Sequence, residues 1–427
     1  MLNRQNGLIN IGYKENIVTF LNIIASLLFY ICLPFYFLER VIHQKSKGWK
    51  KKFGFCEFLS GKIIMIHGCS VGEISAADFL VNKIKEKFPD YKLVLTTSTI
   101  TGQEVANKKY SELVDYITYF PFDSIHCVER FLKRINPSMV FILETEVWPI
   151  FTSSCKKRNI PLYIINGRIS DKSFNSYKLL KFYFKNVLDN YNCIYTQSNN
   201  DTKRFIDIGA KPEKVKFMGN IKFNIKKVET SIDIGQKGYR VLIAGSTHEN
   251  ENKILVGVYA KLKKNFQDLK LLIAPRHLKN VCYVEEYCKK NDLKYELRSS
   301  GNNFSDSVDV IILDTYGELG KMYSICDVAY IGGSLNKTGG HNPLEACIYD
   351  KPVISGNCVT NFRDIYGILT SVGAAKIVKN ETELFNEFNN ILNDKELYDN
   401  MSKACSLAFE QQKSATDVVI NVISENV

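Results

Sequence analysis

From Lys62 onward, short unbroken apolar runs alternate with segments whose apolar positions recur every three or four residues. The runs are Ile63–His67, Leu93–Thr97, Met139–Glu144, Leu162–Asn166 and Cys193–Gln197. Apolar residues at nearly every position, rather than every second one, predict strands covered on both faces, as in parallel sheets. Helical periodicity fills the gaps, for example at Ala76–Lys87 and Ser176–Leu188. After a polar, Lys-rich stretch at Lys222–Lys237 the same pattern restarts with Tyr239–Ser246. It continues through Leu271–Ala274, Val308–Leu313, Val328–Ile331 and Pro352–Ser355, and Glu381–Ile423 reads as closing helices. The pattern predicts an α/β protein with two doubly wound domains joined near 222–238. We place an N-terminal extension and anchor at 1–50, a first domain at 51–225 and a second at 226–427.

Ahead of this pattern, Ile17–Leu38 is a 22-residue stretch without a charged residue, long enough to cross a hydrocarbon core. Few basic residues precede it (Arg4, Lys14), whereas Arg40, Lys45, Lys47, Lys50, Lys51 and Lys52 follow. The positive-inside rule then leaves everything C-terminal to it in the cytoplasm. A cleaved signal peptide would carry its basic flank on the other side. A buried core helix is the remaining alternative.

Composition narrows the picture. At 427 residues, with 45% hydrophobic and 24% charged, the chain can build two full cores. The formal charge of +11 comes without a nucleic-acid-binding motif, and fits an acidic membrane surface or an anionic substrate. Twelve cysteines show neither C-x-x-C nor zinc-finger spacing, so reduced thiols and no metal site are expected. Walker A, G-x-G-x-x-G, G-x-S-x-G and H-E-x-x-H are all missing from the sequence.

The chemistry-bearing residues cluster where strands give way to helices. Ser70-Val71-Gly72-Glu73, Thr101–Glu104, Ser246–Glu249 and Thr315–Glu318 each match the S/T-x-x-E capping box. A Glu at such a place usually caps, yet in open α/β sheets these carboxyl-end junctions also bind ligands. Gly72 costs a helix about 1 kcal/mol against Ala, which suggests close approach to that turn and a base role for Glu73. Glu144-Thr145-Glu146-Val147-Trp148-Pro149 sets two carboxylates after a buried strand, either as a solvated turn or as a functional pair. Arg276, in Pro275-Arg276-His277, could clamp a phosphate or carboxylate. Lys222 lies near the interdomain crossing.

Val328–Ala346 joins a strand, the pairs Gly332-Gly333 and Gly339-Gly340, and a helix start with Asn342 at N-cap, Pro343 first and Glu345 third after the cap. The stretch reads equally as a tight turn or as a phosphate site.

Taken in order, WKKKFG (Trp49–Gly54), HGCSVGE (His67–Glu73), the Thr-rich turn Thr96–Gly102, ETEVWP, NGRIS (Asn166–Ser170), GNIKF (Gly219–Phe223), GSTHE, PRH, DTYGEL and GGHNPLE resemble the 3-deoxy-D-manno-octulosonic acid (Kdo) transferases of lipopolysaccharide synthesis. The resemblance implies a GT-B glycosyltransferase: two Rossmann-like domains facing a cleft, with an N-terminal membrane-anchor helix. It implies CMP-Kdo as donor, a lipid A precursor as acceptor, and work at the cytoplasmic face of the bacterial inner membrane, with no cofactor, metal or nucleic acid. Glu73 matches the catalytic base of an inverting transfer, and Glu146 or Glu144, with Lys222, the groups that organise the transition state. Pro275, Arg276, Tyr316, Gly317, Glu318, Asn342, Pro343, Leu344 and Glu345 match the CMP-binding part, with loop amides and the helix start facing the phosphate. A GT-B enzyme using another nucleotide sugar, or a non-catalytic sugar-nucleotide-binding protein, are the alternatives. Gly68-Cys69 and Asn220 depart from the family pattern, and Met1–Asn16 has no assigned role.

Overall fold

Seven parallel strands, five of them predicted as buried runs, make one sheet in a computed structural model that describes residues 2–42, 48–228, 232–301, 303–412 and 415–427. They are β1 Ile63–His67, β2 Lys92–Thr97, β3 Tyr116–Tyr119, β4 Met139–Leu143, β5 Leu162–Gly167, β6 Cys193–Thr196 and β7 Val215–Phe217, in the order β3-β2-β1-β4-β5-β6-β7. Ile63 to Ile66 are fully buried, since helices cover both faces. The winding reverses between β1 and β4, which pair with His67 opposite Ile142. The loops leaving these two strands are therefore neighbours, as ligand sites in such sheets require.

A second sheet repeats the plan with β8 Arg240–Thr247, β9 Leu269–Pro275, β10 Tyr295–Leu297, β11 Val310–Ile312, β12 Val328–Ile331, β13 Val353–Gly356 and β14 Ala375–Val378. Its order is β10-β11-β9-β8-β12-β13-β14, reversing between β8 and β12, where Gly245 lies opposite Ile331.

The chain divides into Met1–Asn224 with Gln412–Val427, and Ile225–Gln411. The second domain was expected to run to residue 427; instead the helix Ala415–Glu425 returns to the first unit. There Val419, Ile420 and Ile423 join the core of Ile64, Ile66 and Leu80. Lys83 pairs with Asp417, and Gln412 Oε1 accepts from the Asn220 amide at 2.7 Å. An apolar stripe specifies that a helix packs but not against which sheet.

The N-terminal helix, Leu2–Ile42, contains Phe20–Glu39, which is long and apolar enough to cross a membrane. It turns its polar side inward. Asn22 and Ser26 are 7% exposed, and Ser26 Oγ accepts from the Ile125 amide at 3.1 Å. Asn22 meets Ser153 and Tyr183, each at 3.4 Å. Phe20, Leu27, Ile31 and Phe35 are 62%, 59%, 66% and 77% exposed on the other side. A helix on a water-soluble surface does the reverse. Lys45 and Lys47 of the expected basic flank lie outside the described residues.

Candidate active site

Strand β1 delivers Glu73. The helix Val71–Ala76 begins after Ser70, whose Oγ accepts from the Glu73 amide at 3.4 Å and donates to Glu73 Oε1 at 2.7 Å. The Cys69 amide donates to Oε2 at 2.7 Å. The carboxylate thus takes the Cys69 amide and the Ser70 hydroxyl rather than the N-cap amide of a capping box, and is fixed in one orientation. Burial first, then the charge of Glu144, raises its pKa to about 7, against the pull of the Ser70 and Cys69 hydrogen bonds. A Cβ on Gly72 would meet nothing nearer than Ser70 Oγ at 3.9 Å, so no protein neighbour demands that glycine.

Strand β4 delivers the carboxylate pair. Glu144 takes a left-handed backbone (φ 57), uncommon outside glycine and held here by its amide donating to Ile165 O at 3.0 Å. Its carboxylate lies 3.3 Å from Lys222 Nζ and 3.8 Å from Arg168. Burial pushes the Glu146 carboxyl up, and its charge and that of Glu144 both act on Glu73. All three glutamates expected from the sequence therefore share one site.

Lys222 arrives from beyond β7 along a ladder of polar contacts across the strand ends. The Met218 amide donates to Thr196 O at 2.9 Å, Asn220 Nδ2 to Gln197 Oε1 at 3.0 Å, and the Ile221 amide to Asn166 Oδ1 at 3.1 Å. The first two contacts are at the end of β6 and the third is on β5, so the segment moves across the sheet toward β4. Asn166 Nδ2 is left buried without a protein partner, an open donor in this neighbourhood. Arg168, quoted within a motif but given no role, also belongs to the site, as does Cys69, whose thiol burial pushes up to about 12.

In the second unit, Arg276, Gly317, Asn342 and Glu345 line a cavity of about 420 Å³ with Ser246, Tyr323, His341 and Phe362. Burial raises the Glu345 carboxyl while Arg276 pulls it down. Pro275 ends β9 and sets Arg276 at the strand's carboxyl end, where the Arg276 amide donates to Thr247 O at 2.8 Å. Tyr316 is 76% exposed, Glu318 takes the Thr315 hydroxyl and lies 3.7 Å from Arg298, and Pro343 and Leu344 are buried. These four support or flank the cavity; none lines it. Ser246 and His341 were quoted within motifs but given no binding role, and Tyr323 and Phe362 were not singled out from the sequence.

The glycine loop differs from expectation. Several of its amides are already engaged: Gly332 donates to Gly245 O at 2.8 Å, His341 to Gly332 O at 3.1 Å and Gly340 to Gly333 O at 2.7 Å. Gly333, Ser334 and Leu335 donate to the Glu251 carboxylate at 2.7, 2.9 and 3.0 Å. Glu251 also accepts from the His248 amide and the Tyr330 hydroxyl, and is fully buried. A Cβ on Gly332 would lie 2.4 Å from Ser246 O, so this glycine allows β12 and β8 to close on one another. The helix start is also weaker than predicted: only Leu344–Cys347 is helical, after Pro343, with Asn342 Oδ1 accepting from Leu344 at 3.1 Å. Four residues carry little dipole. The Arg276 and His341 side chains line the cavity and can meet an anion there.

Three more expected capping boxes also shift. The helix at Leu319 starts after Glu318 itself, so Thr315 and Glu318 do not form one. The helix at Ile100 starts on Thr99, which accepts from Gly102, so Thr101 and Glu104 do not form one. The helix at Glu249 starts on His248 and answers with Glu251, not Ser246 with Glu249. Among the described residues no three His, Cys, Asp or Glu side chains gather as a metal-holding group.

Comparison with known proteins follows the division into two units. Residues 47–225 match the family model "3-Deoxy-D-manno-octulosonic-acid transferase (kdotransferase)", and residues 224–406 match "Glycosyl transferases group 1". A 3-deoxy-D-manno-octulosonic acid transferase of Haemophilus influenzae is 31% identical over 84% of this chain and 86% of its own. A bifunctional glycosyltransferase/methyltransferase of Fusobacterium nucleatum is 33% identical over 87% of this chain, which spans 58% of that protein. Among solved structures, the UDP-GlcNAc 2-epimerase of Neisseria meningitidis bound to UDP-GlcNAc aligns with TM-score 0.57 at 12% identity, over 85% of this chain and 100% of that one. That likeness speaks for the GT-B fold alone. Two family signatures laid end to end, over the halves that carry the carboxylates and the cavity, make the chain a member of the Kdo transferase family of GT-B glycosyltransferases.

Proposed function

We propose that the enzyme moves Kdo from CMP-Kdo to a lipid A precursor at the cytoplasmic face of the inner membrane, with inversion at the anomeric carbon. Glu73 is the general base. It takes the proton of the acceptor hydroxyl as that oxygen bonds to the anomeric carbon, and the bond from that carbon to the CMP phosphate breaks with its electron pair leaving on CMP. The observation that carries this reading is the Glu73 carboxyl raised to about 7 while two hydrogen bonds fix its direction. A base whose pKa lies near working pH combines a useful ionised fraction with strong proton affinity.

Glu144 and Lys222 form an ion pair that sets the potential around Glu73, with Arg168 behind it. Glu146 is the second candidate for a direct substrate contact, since burial keeps its proton affinity high. Arg276 and Glu345 suit a nucleotide, one for the phosphate and one for ribose hydroxyls. A donor with phosphate and carboxylate charges, and a phosphorylated acceptor, fit a chain of charge +11. The outward apolar face of the first helix suits a membrane-held acceptor.

The test is product mass spectrometry with a tetra-acyl lipid A precursor and CMP-Kdo generated in situ. The expected product is the acceptor plus one or more Kdo residues, and the spectrum also counts them. Transfer from a UDP- or GDP-sugar with none from CMP-Kdo would overturn the donor assignment.

A further inference from the structure

His248 Nε2 and His341 Nε2 lie 3.1 Å apart, with the ring centroids 5.4 Å apart and the ring planes within 9°. The contact joins the loop after β8 to the loop after β12, at the point where the second sheet reverses. His341 lines the cavity beside Arg276 and Glu345, while His248 stands behind it. Neither residue has a place in the reading above.

Two nitrogens at this distance share one proton, so the two rings cannot choose their tautomers independently. If His248 Nε2–H donates, His341 must accept at Nε2 and, when neutral, carry its proton on Nδ1. If His341 donates instead, its Nδ1 presents a lone pair. Among the described residues no protein group bonds to that Nδ1. The ring is held closely: a Cβ on Gly333 would lie 2.9 Å from His341 Cδ2 and 3.0 Å from Nε2. Behind the pair, the His248 amide and the Gly333 amide both donate to the Glu251 carboxylate, so one buried carboxylate anchors both loops.

We propose that His341 contacts the nucleotide's phosphate through Nδ1–H, and that His248 is the positioning residue that fixes this donor tautomer. The inference rests on reading the cavity as the nucleotide site. His341 adds a donor beside Arg276, where the Gly333, Ser334 and Leu335 amides are taken by Glu251. The groups facing the pair are Arg276 and His277 from the β9 end, Glu251 from the helix Glu249–Lys263, and Glu345 across the cavity. Burial, with Arg276 close by, holds His341 down to about 4 and lowers His248, so the free pair is neutral at pH 7. An arriving phosphate selects the tautomer that donates. During transfer the leaving oxygen keeps the electron pair of the broken bond and accepts this hydrogen bond more strongly; the pair gains and loses no proton.

Calorimetry with CMP and cytidine at pH 7.5 tests this. His341→Ala is expected to weaken CMP about tenfold or more while leaving cytidine unchanged, as loss of a hydrogen bond to a charged group implies. His248→Phe, which cannot donate, should weaken CMP similarly. His248→Gln, whose amide can donate to His341 Nε2, should restore binding to within about threefold. The chain has only six histidines, so 15N spectra of the CMP complex can be assigned, and should show His341 protonated at Nδ1. Unchanged CMP affinity in His248→Phe, or an unprotonated Nδ1, would overturn the inference alone. CMP binding lost on chelation would overturn it too, making the pair cation ligands. No CMP binding by the wild type would overturn the donor reading and this inference with it.

Discussion

Lys222 Nζ stands 3.3 Å from Glu144 Oε1, a contact made across 78 positions of chain. After burial, the charge it offsets is the next cause that raises Glu73. Removing it in Lys222→Met leaves Glu144 with Arg168 alone, at 3.8 Å, so Glu73 holds its proton to higher pH. Transfer at pH 7 should fall about fivefold for the first unit of that shift and about tenfold for each further unit, and recover at high pH. Lys222→Arg, which keeps the charge, should stay close to wild type. Transfer rates between pH 6 and 9 for both variants check this.

The same buried carboxyl makes a stability prediction. The folded-state pKa of Glu73 lies above its unfolded value, so ionisation costs the folded state free energy. That cost is absent below pH 4.5, grows as pH rises to about 7 and is constant above. Glu73→Gln removes it. Relative to wild type the variant should gain stability across this window, on the order of 3 kcal/mol at most, while losing activity. Denaturant melts at pH 4.5 and pH 8 give the difference; an equal ΔΔG at both would contradict it.

Much of this was legible in the sequence because both sheets are parallel and buried. Strands such as Ile63–His67 and Val328–Ile331 show as unbroken apolar runs. The strands missed were Tyr116–Tyr119, Val215–Phe217, Tyr295–Leu297 and Ala375–Val378. They are short and sit at or next to the sheet ends, with Tyr295–Leu297 half-buried throughout. Edge strands pack on fewer neighbours and need less apolar sequence. The carboxylates could be found because each follows a strand end. Arg168 and Lys222 acquire their partners only through strand order, which no local pattern states. The glycine loop misled for a related reason: its amides look open until Glu251, 82 residues upstream of Gly333, is placed beneath them.

The first helix leaves a prediction about how the protein sits on a bilayer. Its buried Asn22 and Ser26 bind it to the first unit, and its apolar side stays exposed. High salt alone should leave the protein in the membrane fraction, while detergent releases it. Ser26→Leu should keep it membrane-bound but loosen the helix from the unit, raising proteolysis between the two. Full release by salt would contradict insertion of the helix.

The base assignment is tested most directly by single-turnover Kdo transfer as a function of pH, in wild type and in Glu73→Gln, with CMP-Kdo held saturating. The account predicts a wild-type rate that rises tenfold per pH unit below an apparent pKa of about 7 and levels off above it. Glu73→Gln should bind CMP normally, transfer at least about a hundredfold more slowly and lose the pH dependence. A variant that keeps wild-type transfer, or the same rising limb, would remove Glu73 from the role of base.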